Sequence, residues 1–157
     1  EMSLKLIING DKAIVSQGGQ TAPLPDSEAG DVRKSMWTEA NCVFLLKSII
    51  DGTVKAQYLK EGTFAGQPHE LVAANTPQGL FLLFIDKKTG QLSAVRYESM
   101  GEKGNEDIVE IYQNVKDVQG LKLPQQVTTN VNNEPKVSNK IWKVKVNSGI
   151  ASATFEK

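Results

Sequence analysis

Residues 80–150 limit what this chain can fold into more tightly than any other stretch, because they read as a succession of strands cut apart by turn signals. Residues 80–85 are a short apolar run. The following Asp86-Lys-Lys-Thr-Gly90 is a reversing loop whose glycine can take the left-handed conformation that a bulged hairpin needs. Residues 92–98, 107–113, 121–131 and 137–146 follow as extended segments between clusters rich in Gly, Asn and Asp. In the longest of them Leu121, Leu123, Val127 and Val131 share one parity, and Lys122, Gln126, Thr128 and Asn130 share the other. That alternation is a strand with one buried and one wet face. The implied architecture is a curved antiparallel sheet that needs a cover.

The front of the chain supplies candidates for that cover. Residues 2–8 and 12–17 flank Asn9-Gly10, a dipeptide suited to the two positive-φ positions of a type I′ turn. A loop over 18–25 leads to Asp26 or Ser27 as a helix N-cap, with Glu28 in the first turn, where the helix dipole favours negative charge. Val32, Met36 and Trp37 recur at helical spacing, which predicts a helix over 27–38 and a second piece over 41–50, ended by Asp51-Gly52. Residues 54–63 and 70–75 are strands joined around Gly66-Gln-Pro68, and Thr76-Pro-Gln-Gly79 turns into the apolar run. About eight strands on short links predict antiparallel meander connectivity. The expectation is one α+β domain over residues 1–157, a curved antiparallel sheet forming an incomplete β-barrel wrapped around a short helical segment.

Composition removes several functional classes. No apolar run approaches the roughly 20 residues of a membrane-spanning helix, and the mean hydropathy is -0.30, so no transmembrane segment is expected. Acidic and basic residues balance at 18 each, leaving no global field toward nucleic acid. The single cysteine, Cys42 in Cys42-Val-Phe-Leu-Leu46, excludes an internal disulfide and reads as a buried small hydrophobe. The opening Glu1-Met-Ser-Leu4 carries no targeting signal and runs almost at once into a strand, which favours a piece of a longer protein.

Catalytic parts are scarce as well. His69, the only histidine, sits in Gln67-Pro-His-Glu70 and reads as a solvated turn residue, although a triad, a metal-bound water or a Cys-His pair would each depend on it. The HExxH, HxxEH, GxSxG and GxxxxGK[ST] spacings are absent. Glu102, Glu106, Asp107 and Glu110 include enough carboxylates for a glycosidase-like pair, yet residues 101–107 read as a wet hairpin tip. Asp51, Asp86 and Asp117 read as turn residues whose side chains bond their own backbone. Lys140, Lys143 and Lys145 with Trp142 interleave charge and ring as an anion-binding or nucleic-acid-binding strand would. Lysines on an outer strand also block edge-to-edge pairing, and that is the favoured reading. The expectation is a chain with no catalytic residue, metal ligand or cofactor.

Three motifs, in order, carry a resemblance. Phe84-Ile-Asp-Lys-Lys-Thr-Gly90, then Ile111-Tyr-Gln-Asn-Val-Lys-Asp-Val-Gln-Gly-Leu-Lys-Leu-Pro124, then Lys145-Val-Asn-Ser-Gly-Ile150 with Phe155, form a succession similar to LolA/LolB-type domains of bacterial envelope proteins. The closing half of such domains runs D-x-x-T-G, Y-x-[DN]-Y-[KR]-x-V-x-G-[IVL]-K-[FL]-P and V-N-x-G-[IL]-D-[DS]-x-x-F. The nearest form is that of Bacteroidetes, free-standing or appended to M16-type zinc peptidases. Val115 stands where the pattern has an aromatic residue, and Ala151-Ser152 where it has an acidic pair. Such domains also open with a helix and further strands ahead of the point that corresponds to Glu1.

The resemblance implies an incomplete barrel over a helical lid, with an apolar cavity that holds acyl chains in the lipoprotein-carrier members. It implies a periplasmic or cell-envelope location and, as partner, a lipid or lipoprotein or an upstream peptidase domain. Trp37, Phe44 and Leu45 from the helical part and Tyr58, Phe81, Leu83, Tyr97 and Tyr112 from the sheet are the candidates to line that cavity. The same residues would serve equally as a solid core. The functional expectation is non-catalytic binding of an apolar ligand between sheet and helix. The alternative is an accessory or docking module of a zinc-peptidase chain with no chemistry of its own.

Overall fold

A computed structural model of the chain describes residues 4–9, 12–26, 28–30, 43–77, 79–101 and 104–140. Antiparallel strands dominate them. In chain order these are β1 (Leu4–Asn9), β2 (Lys12–Gln17), β3 (Gln20–Pro23), β4 (Lys55–Phe64), β5 (Gln67–Thr76), β6 (Gly79–Asp86), β7 (Leu92–Gly101), β8 (Gly104–Gln113), β9 (Lys116–Val118), β10 (Leu121–Leu123), β11 (Gln126–Val131) and β12 (Glu134–Lys140). The helix α1 (Val43–Ile50) immediately precedes β4. A seven-stranded sheet runs β12-β11-β8-β7-β6-β5-β4, beside a three-stranded sheet β1-β2-β3 and the hairpin β9-β10. The meander expected from short links is present from β4 to β8, and the described strands close no barrel.

Among the described residues alone there are twelve strands, against about eight expected for the chain, and the differences have local causes. Gly18 and Gly19 both take positive φ and reverse the chain, so that Gln20–Pro23 pairs with β2 instead of forming part of a loop. Pro124 has no N–H to give a ladder, and it divides the segment 121–131 into β10 and β11. β10 pairs with the short β9 across Gln119 and Gly120, whose φ values of 54 and 85 suit a primed turn. Leu121 consequently is exposed and does not share a buried face with Leu123.

Turn positions shift in the same way. Asn9 pairs with Lys12 and so belongs to its strand. The β4–β5 turn is Ala65-Gly66, with Gln67 and Pro68 already in β5. β8 begins at Gly104, which puts Asp107 inside a strand and not at a wet tip. The Asp86-to-Gly90 reversal forms as read: the Asp86 carboxylate accepts from the Lys88 and Thr89 amides and the Thr89 hydroxyl, and Gly90 has φ 69.

α1 agrees with the helix expected over 41–50. It stops at Asp51-Gly52, where Gly52 takes φ 75 and the Ser48 carbonyl accepts from the Val54 amide and the Thr53 hydroxyl. Residues 26 and 28–30 are helical too. The rest of the helix expected over 27–38, with Trp37 and Cys42, lies outside the described residues, as does residue 141 onward with Trp142, Lys143, Lys145 and Phe155.

Strand alternation divides the seven-stranded sheet into two faces. One carries Ala74, Phe81, Leu83, Val95 and Tyr112, and Leu45, Leu46 and Ile49 of α1 pack on it with Val54. The other carries Leu71, Phe84 and Ala94, joined by Phe64, Leu82 and Val109. The unbroken apolar run of β6 thus contributes to clusters on both faces of the sheet. Burying each large side chain of the first cluster contributes about 1.5–3 kcal/mol.

Candidate functional site

The helix-facing side of the sheet is where the cavity-lining candidates converge. Leu45, Phe81, Leu83 and Tyr112 are buried in one cluster and Tyr97 packs against it, its ring centroid 5.2 Å from that of Phe81. Phe44 and Tyr58 are not part of it, being 53% and 54% exposed. Two tyrosine hydroxyls on this side are spoken for: Tyr97 donates to Glu110 Oε1 at 2.9 Å and Tyr112 to Oε2 at 3.2 Å. Glu110 had the look of one more wet carboxylate, yet it is half-buried in β8, opposite Val95. Its shared parity with Ile108 and Tyr112 was the available signal. Among the described residues, one cavity between α1 and this side has a volume of 250 Å³ and is lined by Leu46, Leu92, Tyr112, Val115, Lys122 and Pro124 among others. Ligand pockets ordinarily run from about 300 to 1,000 Å³.

The larger opening lies on the opposite face. A cleft of 640 Å³ is lined by Leu80, Leu82, Arg96, Glu98, Asn105 and Asp107, with Tyr97 and Ser99 at its wall. Register explains the grouping. Leu82 is the cross-strand partner of Arg96, Arg96 of Val109, and Glu98 of Asp107, so these side chains rise from the face away from α1. Leu80, 57% exposed, forms the lip, and Leu82 joins the cleft to the second apolar cluster.

The polar wall is held firmly. Arg96 donates through Nε to Asp107 Oδ1 at 2.7 Å. The Asp107 main chain is pinned in turn by Asn132, whose side-chain oxygen accepts from its amide and whose own amide donates to its carbonyl. The Asp107 carboxylate, with Glu98 nearby, pushes the Arg96 pKa further up, so its charge is permanent in the working range. None of Leu80, Leu82, Arg96, Glu98 or Asn105 was singled out from the sequence. Their signal was an apolar run continuous on both parities, which already implied a second face in need of a cover.

His69 departs from expectation. It is only 2% exposed, not a solvated turn residue, because the β4–β5 turn closes ahead of it and directs its ring onto the face that carries Leu71. Nδ1 lies 2.9 Å from the Gln67 carbonyl, an acceptor only, and therefore carries the proton. Nε2 lies 2.9 Å from the Ser93 hydroxyl, from which it accepts when the ring is neutral. The Phe64 ring meets the imidazole edge-on at 5.6 Å. The position that an aspartate occupies in a triad is here taken by a main-chain carbonyl, and Asp86 Oδ1 is engaged by its own turn.

No family model, curated protein or solved structure matches the chain. Among the described residues no group of three or more His, Cys, Asp and Glu is arranged to hold a metal ion, and no helix is long and apolar enough to cross a membrane.

Proposed function

We propose that this chain is a non-catalytic binding domain of a bacterial cell envelope that takes an apolar ligand, a lipid or the acyl chain of a lipoprotein. The observation that carries the reading is the 640 Å³ cleft with Leu80 and Leu82 at its base and lip. Its volume is in the range of ligand pockets, and each methylene buried there contributes about 0.8 kcal/mol. The resemblance to LolA/LolB-type domains supports the ligand class and the envelope location, but it puts the ligand between sheet and helix, whereas this cleft lies on the face away from α1. In this reading the seven-stranded sheet curves as an incomplete barrel, with α1 on one face serving as core and the ligand on the other.

The test is saturable binding of an uncharged apolar dye, Nile red, to the 157-residue chain, followed by fluorescence. The expected dissociation constant is about 1–10 μM, equivalent to roughly 7–8 kcal/mol. Leu82→Asp, which sets a charge at the junction of cleft and apolar cluster, removes the binding. Absence of saturable binding by the unaltered, folded chain would refute the proposal.

A further inference from the structure

A second constellation lies at the far end of β6 from the cleft, around His69, the cross-strand partner of Asp86. Phe84 stands opposite Ala94 and Ile85 opposite Leu92, so Ser93 of β7 is left without a partner in β6. A bulge of this kind re-aims a side chain. Here it brings the Ser93 hydroxyl to 2.9 Å from His69 Nε2, two strands away on β5. The Gln67 carbonyl, 2.9 Å from Nδ1, holds the imidazole in turn, and this acceptor places the proton of the neutral ring on Nδ1. Nε2 then turns its lone pair toward the hydroxyl. A nucleophile within hydrogen-bond reach of a base that a third group orients is the arrangement that activates serine. The Asp86 carboxylate couples to the ring through its charge and favours the imidazolium that proton transfer forms. Access to the two partners is unequal. Ser93 is half-buried, whereas His69 is 2% exposed and meets the Phe64 ring edge-on.

We infer that Ser93 is a nucleophile that accepts an acyl group from an aryl ester or thioester, with His69 as its base. The bond from Ser93 Oγ to the acyl carbon forms as the bond from that carbon to the leaving oxygen or sulfur breaks. The leaving atom departs with the electron pair as an aryl oxide or thiolate, and the hydroxyl proton passes to Nε2, where the Asp86 charge helps to hold it. Release of the acyl group would need water at Nε2, and the burial of His69 closes that approach. The reaction therefore stops at one acyl group per chain. This is a modification of the protein and not a turnover, and it is independent of the binding role proposed above.

The experiment treats the folded 157-residue chain with an alkyl fluorophosphonate, which phosphonylates activated serines with loss of fluoride, and locates the adduct by peptide mass spectrometry. The adduct is expected on Ser93 and on no other serine. His69→Gln keeps a hydrogen-bonding side chain beside Ser93 but removes the base, and is expected to slow labelling about 10²–10⁴-fold. No adduct on Ser93, or equal labelling of the folded and the urea-unfolded unaltered chain, overturns the inference whether or not the variant folds. Equal labelling rates in the unaltered chain and in a His69→Gln variant whose circular dichroism is unchanged overturn it as well. With p-nitrophenyl acetate the expected result is a burst of about one equivalent of p-nitrophenolate. Continued release would show water reaching Nε2 and would overturn the single acylation.

Discussion

At the scale of single residues, the protein holds several positions in conformations or protonation states that can be tested alone. Ala65 occupies the first central position of the β4–β5 turn at φ 48, where a side chain is strained. Ala65→Asn keeps the turn with a residue that tolerates this region and is expected to stabilise the fold by about 0.5–1 kcal/mol, read from the urea midpoint. Ser93→Ala leaves buried His69 Nε2 without its hydrogen-bond partner and is expected to cost about 1–3 kcal/mol. The imidazole nitrogen shifts of the unaltered chain at neutral pH should report a proton on Nδ1. Asp86 and Asp117 both titrate below the ordinary carboxylate value. In Asp86 the cause is chiefly the Thr89 hydroxyl and amide, and in Asp117 it is the Gly120 amide followed by Lys122. A depressed folded pKa means stability that is present above the unfolded value, about 3.9, and lost as pH falls through the lower folded value. Asp86→Asn should therefore flatten the acid limb of a stability–pH curve and leave its neutral plateau shape unchanged.

At the scale of elements, period-2 parity was legible in the sequence and the breaks in it were not. Residues 80–85, 92–98 and 107–113 appear as strands because alternating or continuous apolar patterns leave little other choice. Pro124 should have divided 121–131, as Gln119-Gly120 should have marked a hairpin ahead of it, but the shared parity of Leu123 and Val127 survives an interruption and conceals it. His69 was misjudged because nearby Gly66 and Pro68 look like turn residues, while the turn needs only Ala65 and Gly66. The cleft was illegible for another reason, since it joins residues on β6, β7 and β8 whose alignment is set by register across hairpins. β12 ends the described seven-stranded sheet with every residue exposed and with Pro135, Lys136 and Lys140 along it. Lysine and proline there oppose pairing with another chain. Replacing Lys136 and Lys140 together by Val is expected to raise self-association, measured by light scattering against concentration, with no loss of thermal stability.

At the scale of the whole molecule, the seven-stranded sheet works as a partition with unlike sides. On the α1 side Leu45 interlocks with Phe81, Leu83 and Val95, and its truncation to Ala should cost about 2–5 kcal/mol by cavity formation. On the other side the apolar surface runs from Leu71 and Phe84 through Leu82 into an open cleft with a charged wall. The packed core thus lies on one face, and the proposed binding is assigned to the other. Titration with Nile red, followed by methyl and amide NMR shifts, tests this division most directly. The account predicts changes concentrated at Leu80, Leu82, Arg96, Asn105 and Asp107, with the methyls of Leu45 and Leu83 still. Changes concentrated instead at Leu45, Leu83 and Tyr112 would contradict it.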